Sequence, residues 1–267
     1  MLNPVAFTVF GLDIYWYGLT YALGFLFSYL FIIKFAKEFG FKSEFIEDVF
    51  FNVMIFSVLF GRLFYVLFYN PIFYFNNFFE IIAVWHGGMS IHGGIFGVFV
   101  TLYYFSKKYK LDLFKLTDLF ILPASLALAF GRLANFINQE LVGKITTSSL
   151  GVIFPLYDEN TRWPYQLFEG FKSLIIFEIL FFIYFFKKLK TGVLTGLFLV
   201  FFSLGRFILD FLREPDILFF GVISLGQLLS LIYAIVGVII LVKSYRASGL
   251  QSSRAPELQR KEKKRKR

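Results

Sequence analysis

The sequence predicts an all-α, polytopic membrane protein with seven transmembrane helices, and three observations carry that prediction. Of its 267 residues, 58% are hydrophobic and 41 are phenylalanine, with a mean hydropathy of +0.69. A water-soluble domain of this length exposes far more polar surface. The apolar runs are long and continuous rather than alternating, which argues against a strand barrel. The basic residues are also sorted, with twenty of the 27 lysines and arginines in alternate loops and at the C-terminal end.

Runs near the roughly 20 residues needed to cross hydrocarbon fall at about 14–34, 45–69, 87–106, 114–137, 164–186, 192–212 and 223–243. Lys34, Lys37 and Lys42 follow the first span, Lys107, Lys108, Lys110 and Lys115 separate the third and fourth, and Lys187, Lys188 and Lys190 follow the fifth. Ten more basic residues lie from Lys243 onward, whereas the opposite side has only Lys144, Arg162 and Arg213. Basic loops stay cytoplasmic, so the N-terminus is expected outside and the C-terminus inside. Residues 1–245 then form the membrane domain, with a small external lobe at about 138–163 between spans four and five. Residues 246–267 read as a basic, disordered cytoplasmic tail touching anionic membrane lipids. The charge lies where topology alone puts it, so no nucleic-acid partner is implied. The first basic residue is Lys34, so no signal-peptide pattern opens the chain.

Several functions are excluded by composition. There is no cysteine, hence no disulfide, thiolate metal site or cysteine nucleophile. Two histidines are few for a metal site, and neither a metal nor a cofactor is expected.

Four basic residues, Arg62, Arg132, Lys172 and Arg206, fall inside the spans. Charges there are costly and face a partner or a wet cavity. Counted along the oriented spans at 1.5 Å per residue, Tyr17, Arg62, His92, Arg132, Arg206 and Asp210 all lie in the outer half of the bilayer. Three arginines, a histidine and a carboxylate at one depth predict a polar site opening to the outer leaflet.

Taken in order, residues 1–13 form a short interfacial segment, and Tyr15-Trp16-Tyr17-Gly18 is an aromatic belt. The second span carries Gly61-Arg62-Leu63, and Arg62 fits either a structural pair or a site residue. Residues 70–84 are aromatic and lie in the interface. Trp85-His86 leads into five glycines within residues 87–97, which let a backbone pass close to a helix or a ligand. His92 lies inside that run, and His86 lies further out at the rim. Arg132, Asn135, Gln139 and Glu140 share one face if the fourth helix continues that far. In the fifth span Glu169 reads as a first-turn dipole partner or as a site residue; Lys172 and Glu178 have no assigned role. Arg206 and Asp210, at i and i+4, predict a pair in which the carboxylate holds the guanidinium. Ser224, Gln227 and Ser230 predict interhelical hydrogen bonds.

These motifs resemble, over nearly the whole chain, those of the bacterial prolipoprotein diacylglyceryl transferases. The resemblance rests on Gly131 to Gly143, Gly87 to Gly94, Trp16-Tyr17-Gly18, Gly61-Arg62 to Asn70, and Arg206 with Asp210 before Arg213-Glu214-Pro215-Asp216. It implies an inner-membrane enzyme that moves the diacylglyceryl group of phosphatidylglycerol to the lipobox cysteine thiol of a prolipoprotein signal peptide. The products are a thioether and glycerol 1-phosphate. It implies catalytic roles for Tyr17, His92, Arg132, Arg206 and Asp210, and phosphatidylglycerol binding by Arg132, Asn135, Glu140, Gly143 and Arg62. Phe202 stands where a tyrosine is familiar, Trp163 where a histidine is, and Asp210 where glutamate is frequent. The chemistry suits the residues, because a thiol must ionise to attack carbon, an imidazole is a fitting base, and two guanidinia can hold a leaving phosphate. The rival readings are a transporter or lipid-binding protein with the same polar cluster, or a different phospholipid head-group transferase.

Overall fold

The computed structural model describes residues 3–84, 87–214, 218–219 and 223–265, with backbone alone for 218–219 and beyond Arg246. A helix stands at each of the seven expected positions: α1 (Trp16–Phe35), α2 (Ser43–Phe68), α4 (Ile91–Lys108), α5 (Leu113–Ile137), α6 (Tyr165–Phe186), α7 (Val193–Leu209) and α8 (Leu225–Arg265). Short α3 (Pro71–Asn76) and a 3-10 turn (Phe78–Ile81) occupy the aromatic stretch after α2. Among the described residues, five helices are long and apolar enough to cross a membrane: α1, α2, α5, α7 with the turn after it, and α8 as far as Arg246. Of the other two, α6 carries three charges, Glu169, Lys172 and Glu178, while α4 opens on glycines and ends on Lys107-Lys108.

Among the described residues, the structure corrects the all-helical expectation with three two-stranded antiparallel pairs: β1 (Val5–Val9) with β2 (Leu12–Tyr15), β3 (Val152–Ile153) with β4 (Thr161–Arg162), and β5 (Leu218–Phe219) with β6 (Ile223–Ser224). The first turns at Phe10-Gly11, both with positive φ, and hides no apolar face that sequence alternation could reveal. His86, Pro215 and Asp216 lie outside the described residues, as do the side chains of the expected tail beyond Arg246.

The chain divides into two compact units, residues 29–119 and residues 1–28 with 120–267. Within the first, α4 packs on α2 through its glycines. A Cβ on Gly93 would lie 2.2 Å from the Phe60 carbonyl oxygen, and one on Gly97 2.3 Å from that of Phe56. The glycine run thus answers to a helix. In the second unit, Gly196 and Gly237 do the same for α7 and α8, since a Cβ on Gly237 would stand 2.9 Å from the Gly196 carbonyl oxygen.

The start of α8 is held by a reciprocal cap. Gln227 N donates to Ser224 Oγ, and Ser224 N donates to Gln227 Oε1, each at 3.0 Å, the arrangement of a capping box. The expected polar face of α8 is therefore partly a cap. Gln227 Nε2 also donates across to the Phe207 carbonyl of α7 at 3.5 Å, and Ser230 bonds within its own helix, to Gly226 O.

Candidate active site

α6 opens after Pro164 and carries Glu169 in its second turn, facing inward and only 1% exposed. A carboxylate taken out of water costs several kcal/mol unless cations meet it. Three do. Lys172, one turn along α6, places Nζ 2.8 Å from Glu169 Oε1. Arg132 of α5 places Nη2 3.3 Å from Oε2, and Arg206 of α7 places Nη1 3.5 Å from the same oxygen. α5 packs close to α6 here, for a Cβ on Gly170 would lie in van der Waals contact with Arg132 Cβ, at 3.4 Å.

The two arginines meet Glu169 as charge and not as hydrogen-bond donors. Oε2 accepts no hydrogen bond, and among the described residues neither guanidinium donates a side-chain hydrogen bond. Both stay open, at 17% and 19% exposed. Three cations around one carboxylate leave the cluster two formal positive charges. Two planar donor forks beside that surplus make a site for an anion that can accept in pairs, such as a phosphate.

Asp210 departs from its expected place. It accepts from the Tyr165 hydroxyl at 3.4 Å and from the Ser224 hydroxyl, while Arg206 has turned to Glu169. The backbone keeps the helical spacing, since Asp210 N donates to Arg206 O; the carboxylate is instead drawn to the two hydroxyls, and the Arg206 guanidinium to Glu169. Asp210 is buried, held by α6 on one side and the start of α8 on the other.

The end of α5 also differs from the expectation. The helix stops at Ile137. Glu140 N donates to Asn135 O at 2.9 Å and Gln139 N to Phe136 O at 3.1 Å, the bond pair of a Schellman cap, with Gln139 in the left-handed position at φ 58°. That position favours glycine and costs a side-chain residue about 1 kcal/mol or more. The Gln139 side chain offsets it by accepting from Leu156 N at 2.8 Å. The reversal folds Glu140 back over α5. Its carboxylate accepts from Asn135 Nδ2 at 3.3 Å and Asn138 Nδ2 at 3.2 Å, and its backbone oxygen accepts from Gln166 Nε2 at 2.6 Å. Arg132 and Asn135 keep their helical spacing; Glu140 reaches Asn135 through the turn.

Tyr17 stacks on Tyr21 with ring centroids 4.8 Å apart and donates to its hydroxyl at 3.3 Å. Tyr21 Oη lies over Gly131, 3.6 Å from where a Cβ would be. Tyr17 is close enough to Arg132 and Glu140 to feel both charges. On either side of α5 runs an apolar groove. One, of about 400 Å³, is lined by Trp16, Leu23, Phe130 and Leu133, and the other, of about 290 Å³, by Leu126, Leu133, Phe171 and Leu174.

Gly143, expected to bind lipid, lies within the lobe and bridges to Arg213. A Cβ there would strike the Trp163 carbonyl oxygen at 2.5 Å, and the Gly143 carbonyl accepts from Arg162. Arg162 is buried and pins the lobe, at 2.6 Å from Asp158 and 2.9 Å from Glu214. The guanidinium donating to Asp158 holds that carboxyl down at about 2.

His92 and Arg62 belong to the other unit. His92 is the second residue of α4, exposed, just after the capping Ser90. Arg62 is buried, and its N–H groups go to the carbonyls of Glu80, Ile81, Ala83, Gly87 and Gly88. Its guanidinium also lies over the Tyr74 ring at 5.1 Å. Five hydrogen bonds to backbone make it a clamp on the loop before α4 rather than an open anion site.

Sequence reasoning left Glu169 open and Lys172 unassigned, and did not single out Tyr21, Asn138, Tyr165 or Gln166. The i, i+3 spacing of Glu169 and Lys172 was the readable signal.

Comparison with known proteins adds an independent finding. The family model described as prolipoprotein diacylglyceryl transferase matches residues 4–243. The chain is 40% identical over 251 residues to the phosphatidylglycerol–prolipoprotein diacylglyceryl transferase of Rickettsia bellii (strain OSU 85-389), covering 91% of this chain and 95% of that one. It is 39% identical over 248 residues to the protein of the same name from Ehrlichia ruminantium (strain Welgevonden), covering 90% and 96%.

Proposed function

The chain belongs to the prolipoprotein diacylglyceryl transferase family, and from that premise we propose that Arg132 and Arg206, set around Glu169, grip the phosphate of phosphatidylglycerol during diacylglyceryl transfer. The protein is a transferase of lipoprotein maturation, acting on phosphatidylglycerol and a prolipoprotein. The acceptor is the thiol of the lipobox cysteine. Its sulfur attacks the glyceryl carbon bound to the phosphate oxygen. The carbon–sulfur bond forms, the carbon–oxygen bond breaks, and the electron pair leaves on glycerol 1-phosphate.

One observation carries this reading: among the described residues, the guanidinium donors of Arg132 and Arg206 make no hydrogen bond beside a fully buried carboxylate. The phosphodiester enters with one negative charge and leaves as a monoester with up to two. A cluster that retains two positive charges favours the product side of that change, as preorganised donors do for developing oxyanions. The apolar grooves flanking α5 suit the two acyl chains. Asn135 and Glu140 extend the polar rim toward the glycerol headgroup, and Tyr17 closes it beside α1. The thiol proton goes to His92, an assignment that rests on the family resemblance and on imidazole chemistry.

The protein crosses the bacterial inner membrane seven times, with the N-terminus and the 138–163 lobe outside and the C-terminus in the cytoplasm. The seven helices and the sorted basic residues support this arrangement. A reporter fused after Arg267 should therefore be cytoplasmic, and one within 146–150 external. The activity is tested with purified protein, phosphatidylglycerol and a lipobox peptide. Glycerol phosphate should appear with the cysteine peptide and not with its serine counterpart. Lipid binding without thiol-dependent release would mark an anion-binding protein instead.

A further inference from the structure

Lys172 is a third cation at the cluster; it counts toward the surplus charge, but the phosphate grip uses none of its donors. It comes from α6, one turn after Glu169, and its stem lies in a slot on α7. The floor of the slot is Gly205, where a Cβ would strike Lys172 Cδ at 2.5 Å and Cγ at 2.9 Å. The roof is Phe202, whose ring centre is 4.1 Å from Nζ, a cation–π distance. At the end of the slot Nζ donates to Glu169 Oε1 at 2.8 Å. Gly205 and Phe202 flank the lysine on the helix that carries Arg206.

A carboxylate has two oxygens and can turn about its last bond. Were Glu169 free to turn, either arginine could draw one oxygen to itself as a forked pair, which is the preferred geometry of such partners. That would consume the donors of one guanidinium. With Oε1 committed to Lys172, only Oε2 remains, and it stands between Arg132 and Arg206 at 3.3 and 3.5 Å. We infer that Lys172 is a positioning residue: seated between Gly205 and Phe202, it fixes the Glu169 carboxylate so that neither arginine closes on it and both stay open to the phosphate. The inference rests on the reading of Arg132 and Arg206 as the phosphate grip. Phe202, which stands where the family resemblance implies a tyrosine, then has a task of its own as the cation–π cover of this lysine.

The test is glycerol phosphate release from phosphatidylglycerol and a lipobox peptide by four purified variants: Lys172→Met, Lys172→Arg, Gly205→Ala and the Lys172→Met/Gly205→Ala double. Lys172→Met fills the slot without charge and should lower kcat by about 10- to 10²-fold, with KM for phosphatidylglycerol changed by less than about threefold; a catalytic group misplaced by about 1 Å can cost up to about 10²-fold. Lys172→Arg keeps a donor for Oε1 and should recover most of the rate. Gly205→Ala should expel the lysine and reproduce the Lys172→Met loss. The double variant should be no slower than Lys172→Met, because both changes remove one interaction. Losses that multiply in the double variant would overturn the inference, as would wild-type kcat in Lys172→Met. If wild type releases glycerol phosphate and Lys172→Met and Gly205→Ala match its kcat, only this inference falls. If wild type releases none, the phosphate-grip reading falls with it.

Discussion

Arg132 of α5 stands 3.3 Å from Glu169 of α6 without donating a hydrogen bond to it. The charge is compensated while the donors remain open. This separation of pairing from bonding is what distinguishes the site from an ordinary buried ion pair, and it makes Glu169 the first residue to test.

Glu169→Gln keeps the shape and removes the charge that draws the three cations together. Stability should fall, since losing one partner of a buried pair costs about 3–5 kcal/mol, less where the other partners are partly wet. Turnover should fall about 10²-fold or more, while phosphatidylglycerol binding persists on the remaining cations. Thermal unfolding in detergent and glycerol phosphate release report the two effects. Wild-type turnover in Glu169→Gln would remove the pivot from the account.

Asp210 should behave differently, because hydroxyls hold it and not Arg206. Asp210→Asn keeps the acceptor for Tyr165 or Ser224 and should retain activity within about fivefold. Tyr165→Phe should cost about 1 kcal/mol of stability, the usual net worth of one hydrogen bond, and Ser224→Ala more, because it also removes the cap on Gln227 N. A loss in Asp210→Asn as deep as that in Glu169→Gln would show that Asp210 acts on the substrate directly.

His92→Gln tests the base. It should lower turnover, leave lipid binding intact, and remove the low-pH limb that an imidazole base gives the activity profile. Unchanged turnover across pH 6–9, a range chosen to include the free-imidazole value of about 6.5, would make His92 structural.

The lobe offers a pH test away from the membrane. Arg162 holds the Asp158 carboxyl at about 2 in the folded protein, below the ordinary value of about 4. A depressed carboxyl contributes stability above the unfolded value and loses it as pH falls through the folded one. Protection of the Thr161 and Arg162 amides, measured against their intrinsic exchange rates, should therefore fall between about pH 4 and pH 2. Arg162→Met should have low protection already at neutral pH, with no further loss on acidification. A lobe equally protected in both proteins would refute the Arg162 pin.

Much of this architecture is legible in the sequence, because an apolar run of about 20 residues has few alternatives to a helix in a membrane. The site was legible only where one helix carries two of its residues, as with Arg132 and Asn135. Gly61-Arg62-Leu63 and Gly131-Arg132-Leu133 share the same tripeptide, yet one arginine is bonded to five carbonyls and the other is open. That difference comes from a loop folding over α2, which no local pattern encodes. Glu169 near the start of α6 looks like any helix-dipole partner until α5 and α7 bring their arginines to it. Glu140 reaches Asn135 by a left-handed turn at Gln139, a conformation its residue type does not announce.

The central claim is that Arg132 clamps the leaving phosphate with a forked donor set. Arg132→Lys keeps the charge and loses the fork. The decisive measurement is the single-turnover rate of glycerol phosphate release by purified Arg132→Lys beside wild type, with matched thermal unfolding in detergent. The account predicts a folded protein slowed about 10²-fold or more, the scale seen when one preorganised donor is removed. A folded Arg132→Lys at near wild-type rate would show that Arg132 supplies only a positioning charge, and would contradict the clamp.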